Sequence, residues 1–202
     1  MNNKATSARK GFLRFFWWTF SSAILLIVII FLFINIGWIG YMPPIDELQN
    51  PINKYATEIY SSDLQVLGQY SKSKNNRIKT EYSQISKNVV NALVATEDVR
   101  FYEHSGIDGI ALIRSFILTG ILQNKSSGGG STLTQQLAKQ LYSPEAANII
   151  ERAFQKPIEW VISVKLERLY TKDEIMTLYL NQFDFLNNAV GINSAAQIYF
   201  SK

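Results

Sequence analysis

Three groups of residues have the types and spacing to do chemistry. The first lies in "ATEDVRFYEHSGID", residues 95–108. Glu97 and Asp98 stand together at the end of an otherwise apolar helical pattern, and His104, the single histidine of the chain, follows in the same stretch. Glu97 comes four residues after Leu93, which puts it on the face of the apolar stripe. A carboxyl buried there would be shifted upwards and suited to general acid–base work. A solvated helix end carrying two exposed acids fits the same spacing, and His104 reads equally as a structural hydrogen-bonding residue.

The second group is "GGGSTLTQQLAKQLY", residues 128–142. Glycines let a ligand approach the backbone, and the free N–H groups of the adjoining helix start are a natural anion site. Ser131, Thr132, Thr134, Gln135 and Gln136 add neutral donors and acceptors, and Lys139 adds a positive charge one turn on. The Gly-Lys-Ser/Thr order of a Walker loop is absent. A flexible loop before an ordinary polar helix start accounts for the same composition. The third group is "ERAFQKPIEWVISVKLERLY", residues 151–170, in which Arg152 and Lys156 suit phosphate binding and Glu159 comes next. A salt-bridged amphipathic helix is the plainer reading, and for Glu167 and Arg168 it is the one adopted.

These groups need elements to carry them. Val89, Leu93 and the Ala92/Ala95 pair fall at helical spacing, with Ser86 as cap. Residues 107–123 form a very apolar helical stretch, too short and interrupted for a membrane span. It reads as a buried core helix or one lying against a membrane surface. Ser131 is expected to cap the next helix, and Pro157 to sit in the first turn of another that reaches about Tyr170. Thr171 caps a further one, with Asp173 and Glu174 in its first turn, where the helix dipole favours them. Residues 193–202 open a last helix. Upstream, "YATEIYSSDLQVLGQY", residues 55–70, alternates about 61–63 as a hairpin does. Polar residues 71–83 read as a loop leading to another extended piece.

The composition sets limits. The chain has 202 residues, enough for one membrane segment and one modest domain. It has no cysteine, which excludes disulfides and thiolate metal sites. The formal charge of +4 is misleading: Lys4, Arg9, Lys10 and Arg14 precede residue 46, and taking them from the 20 basic residues leaves 16 against 16 acids. A formally neutral body gives no expectation of a nucleic-acid partner. Residues 15–45 carry no charge, which is ample for the roughly 20 residues a span takes. Trp17, Trp18, Trp38 and Tyr41 lie near the ends of that run, and the basic residues precede it. This predicts a single-pass anchor with a cytoplasmic N-terminus and an extracytoplasmic body. A cleaved signal peptide is the rival, weakened by the length of the run and by the want of a small-x-small site. Pro43-Pro44 is expected to end the span. The expected organisation is a basic tail over 1–14, an anchor over 15–41, a connector with a small β element over 42–85, and a domain over 86–202.

Taken together, the segments resemble the peptidoglycan glycosyltransferases, a family comprising the monofunctional transglycosylases and the N-terminal catalytic domain of class A penicillin-binding proteins. "EDVRFYEHSGID" is similar to the family's first motif, Glu-Asp-x-x-Phe-x-x-His-x-Gly, and "GGSTLTQQLAKQLY" to its second. "QKPIEW" is similar to the third, usually Arg-Lys-x-x-Glu, with Gln155 where Arg is usual. "KLERLYTKDEIMTLYLN" and "AVGINSAAQIYFSK" resemble the fourth and fifth, and the likeness runs from about Tyr55 to Lys202.

The resemblance implies a mainly α, lysozyme-like, two-lobed domain with a small β element, behind one transmembrane helix in the bacterial cytoplasmic membrane. It implies polymerisation of lipid II into a β-1,4 glycan with inversion and release of undecaprenyl diphosphate. Glu97 would be the general base and Glu159 the second carboxylate. Lys139, Arg152 and Lys156 would neutralise the diphosphate, while Asp98, Phe101, His104, Ser131, Thr132, Thr134, Gln135 and Gln136 would form the rest of the substrate site. It leaves room for a divalent cation, Mg²⁺ or Mn²⁺, near Glu159, and implies no organic cofactor. Its implied partners are lipid II, the growing glycan chain, the membrane, and cell wall synthesis or division proteins. The family domain continues past the fifth motif, so the chain is expected to be C-terminally incomplete, and no transpeptidase motif is visible in it. A lysozyme-like hydrolase and a non-catalytic lipid II or partner-binding domain remain the alternatives.

Overall fold

The computed structural model describes residues 2–49, 51, 57–63, 66–70, 79–121 and 129–201, in two compact units, Met1–Met42 and Pro43–Lys202. The first unit is one helix, α1 (Asn2–Asn35). Within its Lys10–Asn35 portion an 18-residue stretch reaches a mean hydropathy of 2.5, and the portion is long and apolar enough to cross a membrane, by length and composition. The helix does not run on to Pro43-Pro44. Gly37 takes φ +82°, its N–H bonds to the Ile34 carbonyl at 3.0 Å, and the Trp38 N–H bonds to the Phe33 carbonyl at 2.9 Å. That is a Schellman stop, completed by the Phe33 and Trp38 rings stacked 5.2 Å apart. Glycine's freedom at positive φ ends the helix before the prolines can.

The second unit is mostly helical. After the short α2 (Ile45–Gln49), β1 (Thr57–Tyr60) and β2 (Val66–Tyr70) form the antiparallel hairpin expected about residues 61–63, with an irregularity between Ile59 and Tyr60. Residues 71–78 lie outside the described residues. Beyond them comes a 3₁₀ turn, Tyr82–Gln84, and no further strand is present among the described residues. The segment just before this turn is fixed from afar: the Asn181 side chain accepts from the Thr80 N–H at 2.9 Å and donates to the Thr80 carbonyl at 2.8 Å. The amide thus pairs with backbone as a neighbouring strand would.

The helices are α3 (Lys87–Glu97), α4 (Gly109–Ser115), α5 (Leu133–Tyr142), α6 (Ile149–Leu169), α7 (Lys172–Gln182) and α8 (Ile192–Phe200). Ser86 caps α3 and Thr171 caps α7 as expected, the latter in a capping box with Glu174. Two other expectations give way. Thr132, not Ser131, caps α5 through a bond from the Gln135 N–H at 3.2 Å. Pro157 lies inside α6, which starts far earlier because Asn148 caps it, accepting from the Glu151 N–H at 2.8 Å. A proline here forfeits the bond to the carbonyl four residues back, about 3 kcal/mol. The packing of the helix beyond it offsets that loss: Ile162 and Leu166 are buried against α5 and α7.

Beyond Ser115, α4 widens into a π-helix, Phe116–Ile121. Ile110, Ile113, Phe116 and Ile117 are exposed along this stretch, so it is not a buried core helix. The core instead joins Leu133 and Leu137 of α5, Ile162 and Leu166 of α6, and Ile175, Met176, Tyr179 and Leu180 of α7. Each set falls at i, i+4 spacing, one buried stripe per helix.

The loop between α3 and α4 packs on α6 at Gly106. It takes φ +92°, and a Cβ there would lie 2.9 Å from the Ser163 carbonyl carbon and oxygen. Asp108 then caps α4, accepting from the Ala111 N–H at 2.9 Å and pairing with Arg100. Burial pushes the Asp108 carboxyl up, but those partners outweigh it and hold it below the ordinary carboxylate range. Gly106→Ala combines a forbidden φ with a backbone clash, and it is expected to cost at least about 2 kcal/mol. Chemical denaturation of the two proteins in the same detergent measures this.

Candidate active site

The site is built where the α3–α4 loop meets the start of α5. Asp98 leaves the helical conformation, with φ −154°, and turns its carboxylate inward. It accepts from the Leu133 N–H at 2.9 Å and from His104 Nε2, whose distances to the two oxygens are 3.0 and 3.1 Å. A negative charge against a helix N-terminus is favourable. Alongside, the Gly106 carbonyl accepts from the Thr132 hydroxyl at 2.7 Å, the Gln135 amide at 3.2 Å and the Ser163 hydroxyl at 3.3 Å. Thr134 donates to Glu167 at 2.6 Å, and Lys172 bridges Glu167 and the His104 carbonyl, each at 2.7 Å. Lys172 also lies 4.4 Å over the buried Phe101 ring. Glu167 thus carries the ion pair expected for its helix, but inside the protein, with its side chain 5% exposed.

This divides the candidate residues. Asp98, Phe101, His104, Thr132 and Thr134 are enclosed by the protein and bind the loop to α5, α6 and α7. Ser131, Gln135, Gln136, Lys139, Arg152, Lys156 and Glu159 line one cleft of about 780 Å³, walled by α5, α6 and the segment between them. Glu97 is not among the residues lining that cleft, but Gln136, which is, donates to its carboxylate at 3.0 Å. Glu97 is exposed rather than buried. Helical periodicity assigned it to the apolar stripe, but the helix ends at that residue and it is Asp98 that turns inward.

Charge dominates the cleft. Glu159, fully buried, is gripped by the Arg152 guanidinium, with Nη2 at 3.0 Å and Nη1 on the other oxygen. Ser143 donates to it at 3.1 Å and Lys156 lies 3.6 Å away. Gln155 steadies Arg152 by accepting from it at 3.2 Å, and donates to the Pro144 carbonyl at 3.1 Å. Lys156 also donates to Ser131 at 2.7 Å. Burial first, then the charges of Arg152 and Lys139, holds the Lys156 ammonium below its ordinary value, with Glu159 opposing. Lys139 has an exposed side chain on the same cleft. Two carboxylates, Glu145 and Glu159, therefore share the cleft with three cations, Lys139, Arg152 and Lys156, which leaves a surplus of one positive charge that favours an anion. A divalent cation fits Glu159 poorly, since both its oxygens are already taken by a guanidinium. Among the described residues no three Asp, Glu or His side chains converge.

A family model described as Transglycosylase matches residues 63–202, which is most of the chain. The chain belongs to the transglycosylase family. Penicillin-binding protein 1A of Escherichia coli K12 is 37% identical over 163 residues, 80% of this chain and 18% of that protein. The proteins of the same name from Aquifex aeolicus VF5 and Pseudomonas aeruginosa PAO1 are 38% and 30% identical, over 73% and 94% of this chain. The transglycosylase chain thus spans about a fifth of the length of these relatives. The match begins at residue 63, inside the expected connector. The altered third motif now has a physical reading. Position 155 carries Gln, and the guanidinium beside Glu159 comes from Arg152, one turn earlier on α6.

Sequence reasoning missed Ser143, which closes the Glu159 cage, and Tyr179, whose hydroxyl donates to Gln136 at 2.9 Å. Neither belongs to a charged or glycine-rich pattern, and Tyr179 sits in an apolar stripe. The cage gives a stability prediction. Arg152→Gln leaves a buried carboxylate short of its main partner and is expected to cost about 2 kcal/mol, with Ser143 and Lys156 softening the loss. Arg152→Gln with Glu159→Gln recovers most of it, as a double-mutant cycle in denaturant would read.

Proposed function

We propose that this chain carries a peptidoglycan glycosyltransferase that polymerises lipid II into β-1,4 glycan. The observation that carries the reading is the cationic cleft of Lys139, Arg152 and Lys156 beside an exposed carboxylate, Glu97, joined to the cleft through Gln136. In this reading Glu97 takes the proton of the acceptor sugar 4-hydroxyl. That oxygen forms a bond to the anomeric carbon of the growing chain from the face opposite the leaving group. The bond to the diphosphate oxygen breaks, and configuration inverts. The leaving diphosphate gathers negative charge as the bond breaks, so cations placed there favour the transition state over the ground state. Ser131 and Gln136 supply neutral donors and acceptors for the sugars. Glu159 keeps Arg152 and Lys156 aimed into the cleft and needs no metal to do so.

The apolar helix α1 is the anchor, with its basic end in the cytoplasm and the catalytic body outside. The exposed apolar face of α4 and its π-helical extension is suited to lipid tails. The names of the relatives, penicillin-binding protein 1A, support a place in cell wall synthesis. The test is polymerisation of labelled lipid II by the detergent-solubilised chain. Glu97→Gln is expected to lower the rate at least about a hundredfold while lipid II still binds. Full activity in that variant would remove Glu97 as the base.

A further inference from the structure

Glu97 is exposed, and an exposed carboxylate on a helix end samples several rotamers. A base must meet the hydroxyl it deprotonates within hydrogen-bond reach. Something has to hold it. Its partner is Gln136, one turn into α5, whose Nε2 donates to a Glu97 oxygen at 3.0 Å. The other end of that amide is held in turn, because the Tyr179 hydroxyl donates to Gln136 Oε1 at 2.9 Å. Tyr179 is 2% exposed, on the buried stripe of α7, and its ring stacks on Phe183 at 5.3 Å. Phe183 also lines the cleft.

From this geometry we infer that Tyr179 is a positioning residue for the Glu97 carboxylate, acting through the Gln136 side chain. The inference rests on the proposed role of Glu97. The chemistry is directional. An amide has a donor end and an acceptor end, and a carboxylate accepts only. Were Gln136 flipped, its carbonyl oxygen would oppose the Glu97 oxygen, so the carboxylate fixes which end of the amide faces it. The Tyr179 phenol then donates to the Oε1 left on the far side and anchors the amide from its buried end. Burial, and then the charge of Glu97, pushes the Tyr179 phenol well above its ordinary value, so it remains an O–H donor wherever the protein is folded. The stripe that builds the core therefore also sets the aim of a surface carboxylate.

The test removes one oxygen. Tyr179→Phe keeps the ring and its stacking, and Gln136→Met keeps the volume of the intermediate while deleting its amide. Polymerisation kinetics on lipid II, with thermal melting alongside, are read for both variants, for the double variant and for Glu97→Gln. Expected for Tyr179→Phe is a kcat about tenfold lower with KM unchanged, as for a group misplaced by a fraction of an ångström. In the Gln136→Met background the same change should add nothing. If Tyr179→Phe fails to fold, Gln136→Met alone must show the loss in kcat, because it leaves Tyr179 packed. Wild-type kcat in Tyr179→Phe, a loss confined to KM, or additive effects would each overturn the positioning role. An inactive Glu97→Gln beside a fully active Tyr179→Phe overturns Tyr179 alone. An active Glu97→Gln overturns the base assignment beneath it.

Discussion

The Gly106 backbone lies directly against the backbone of α6 at Ser163, and everything at the site depends on that approach. Without a side chain in the way, one carbonyl oxygen takes bonds from Thr132, Gln135 and Ser163, drawn from two helices. Asp98 adds a charged tie from the same loop to the first N–H of α5. Such bonds are worth most where water is excluded, and each partner would be costly to strand there. The loop is thereby nailed to α5 and α6 together. Its start then carries Glu97 to Gln136, and the two helices hold the cations between them.

This accounts for the density of neutral polar residues at the head of α5. They divide into two duties. Thr132, Thr134 and the Gln135 amide face inward and hold the scaffold, whereas Ser131, Gln136 and Lys139 face the cleft. The glycines before them have a related use. A Cβ on Gly130 would stand 2.9 Å from the Ser115 side chain, so the segment passes close by α4 where a larger residue could not. Opposite, α6 carries Arg152 and Lys156 before its proline and Glu159 after it. The pairing across Pro157 ties together two turns that a missing backbone bond would otherwise loosen.

Local signals held where a cap bonds within its own first turn, and failed where a distant group decides. Ser86, Thr171 and Glu174 cap helices through bonds to residues two or three positions away, so their spacing alone reveals them. The cations of the cleft were legible by type and by motif. The choice of Thr132 over Ser131 as cap was not, because neighbouring hydroxyls are equivalent until the distant Gly106 carbonyl selects one. Glu97 is exposed rather than on the apolar stripe, because periodicity says nothing about the residue where a helix stops. Pro157 read as a helix start, yet Asn148 had already begun the helix. Tyr179 is core, and its hydroxyl meets a residue 43 positions away, which no window of sequence contains.

On the proposed reading, the cations of this cleft receive a diphosphate. Lys156 allows a direct test, because its ammonium is held below the ordinary lysine value of about 10.4 in the free protein. An anion bound beside it favours the charged form, so binding must raise its pKa and take up protons in alkaline solution. There a phosphate ester is already fully ionised, since its second ionisation lies near about 6. Calorimetric titration with a short isoprenyl diphosphate at about pH 9, in two buffers of different ionisation enthalpy, counts those protons. The account predicts binding with net proton uptake, and binding without it in Lys156→Arg, which keeps its charge. No binding at all, or binding undiminished in Lys156→Gln, would contradict it.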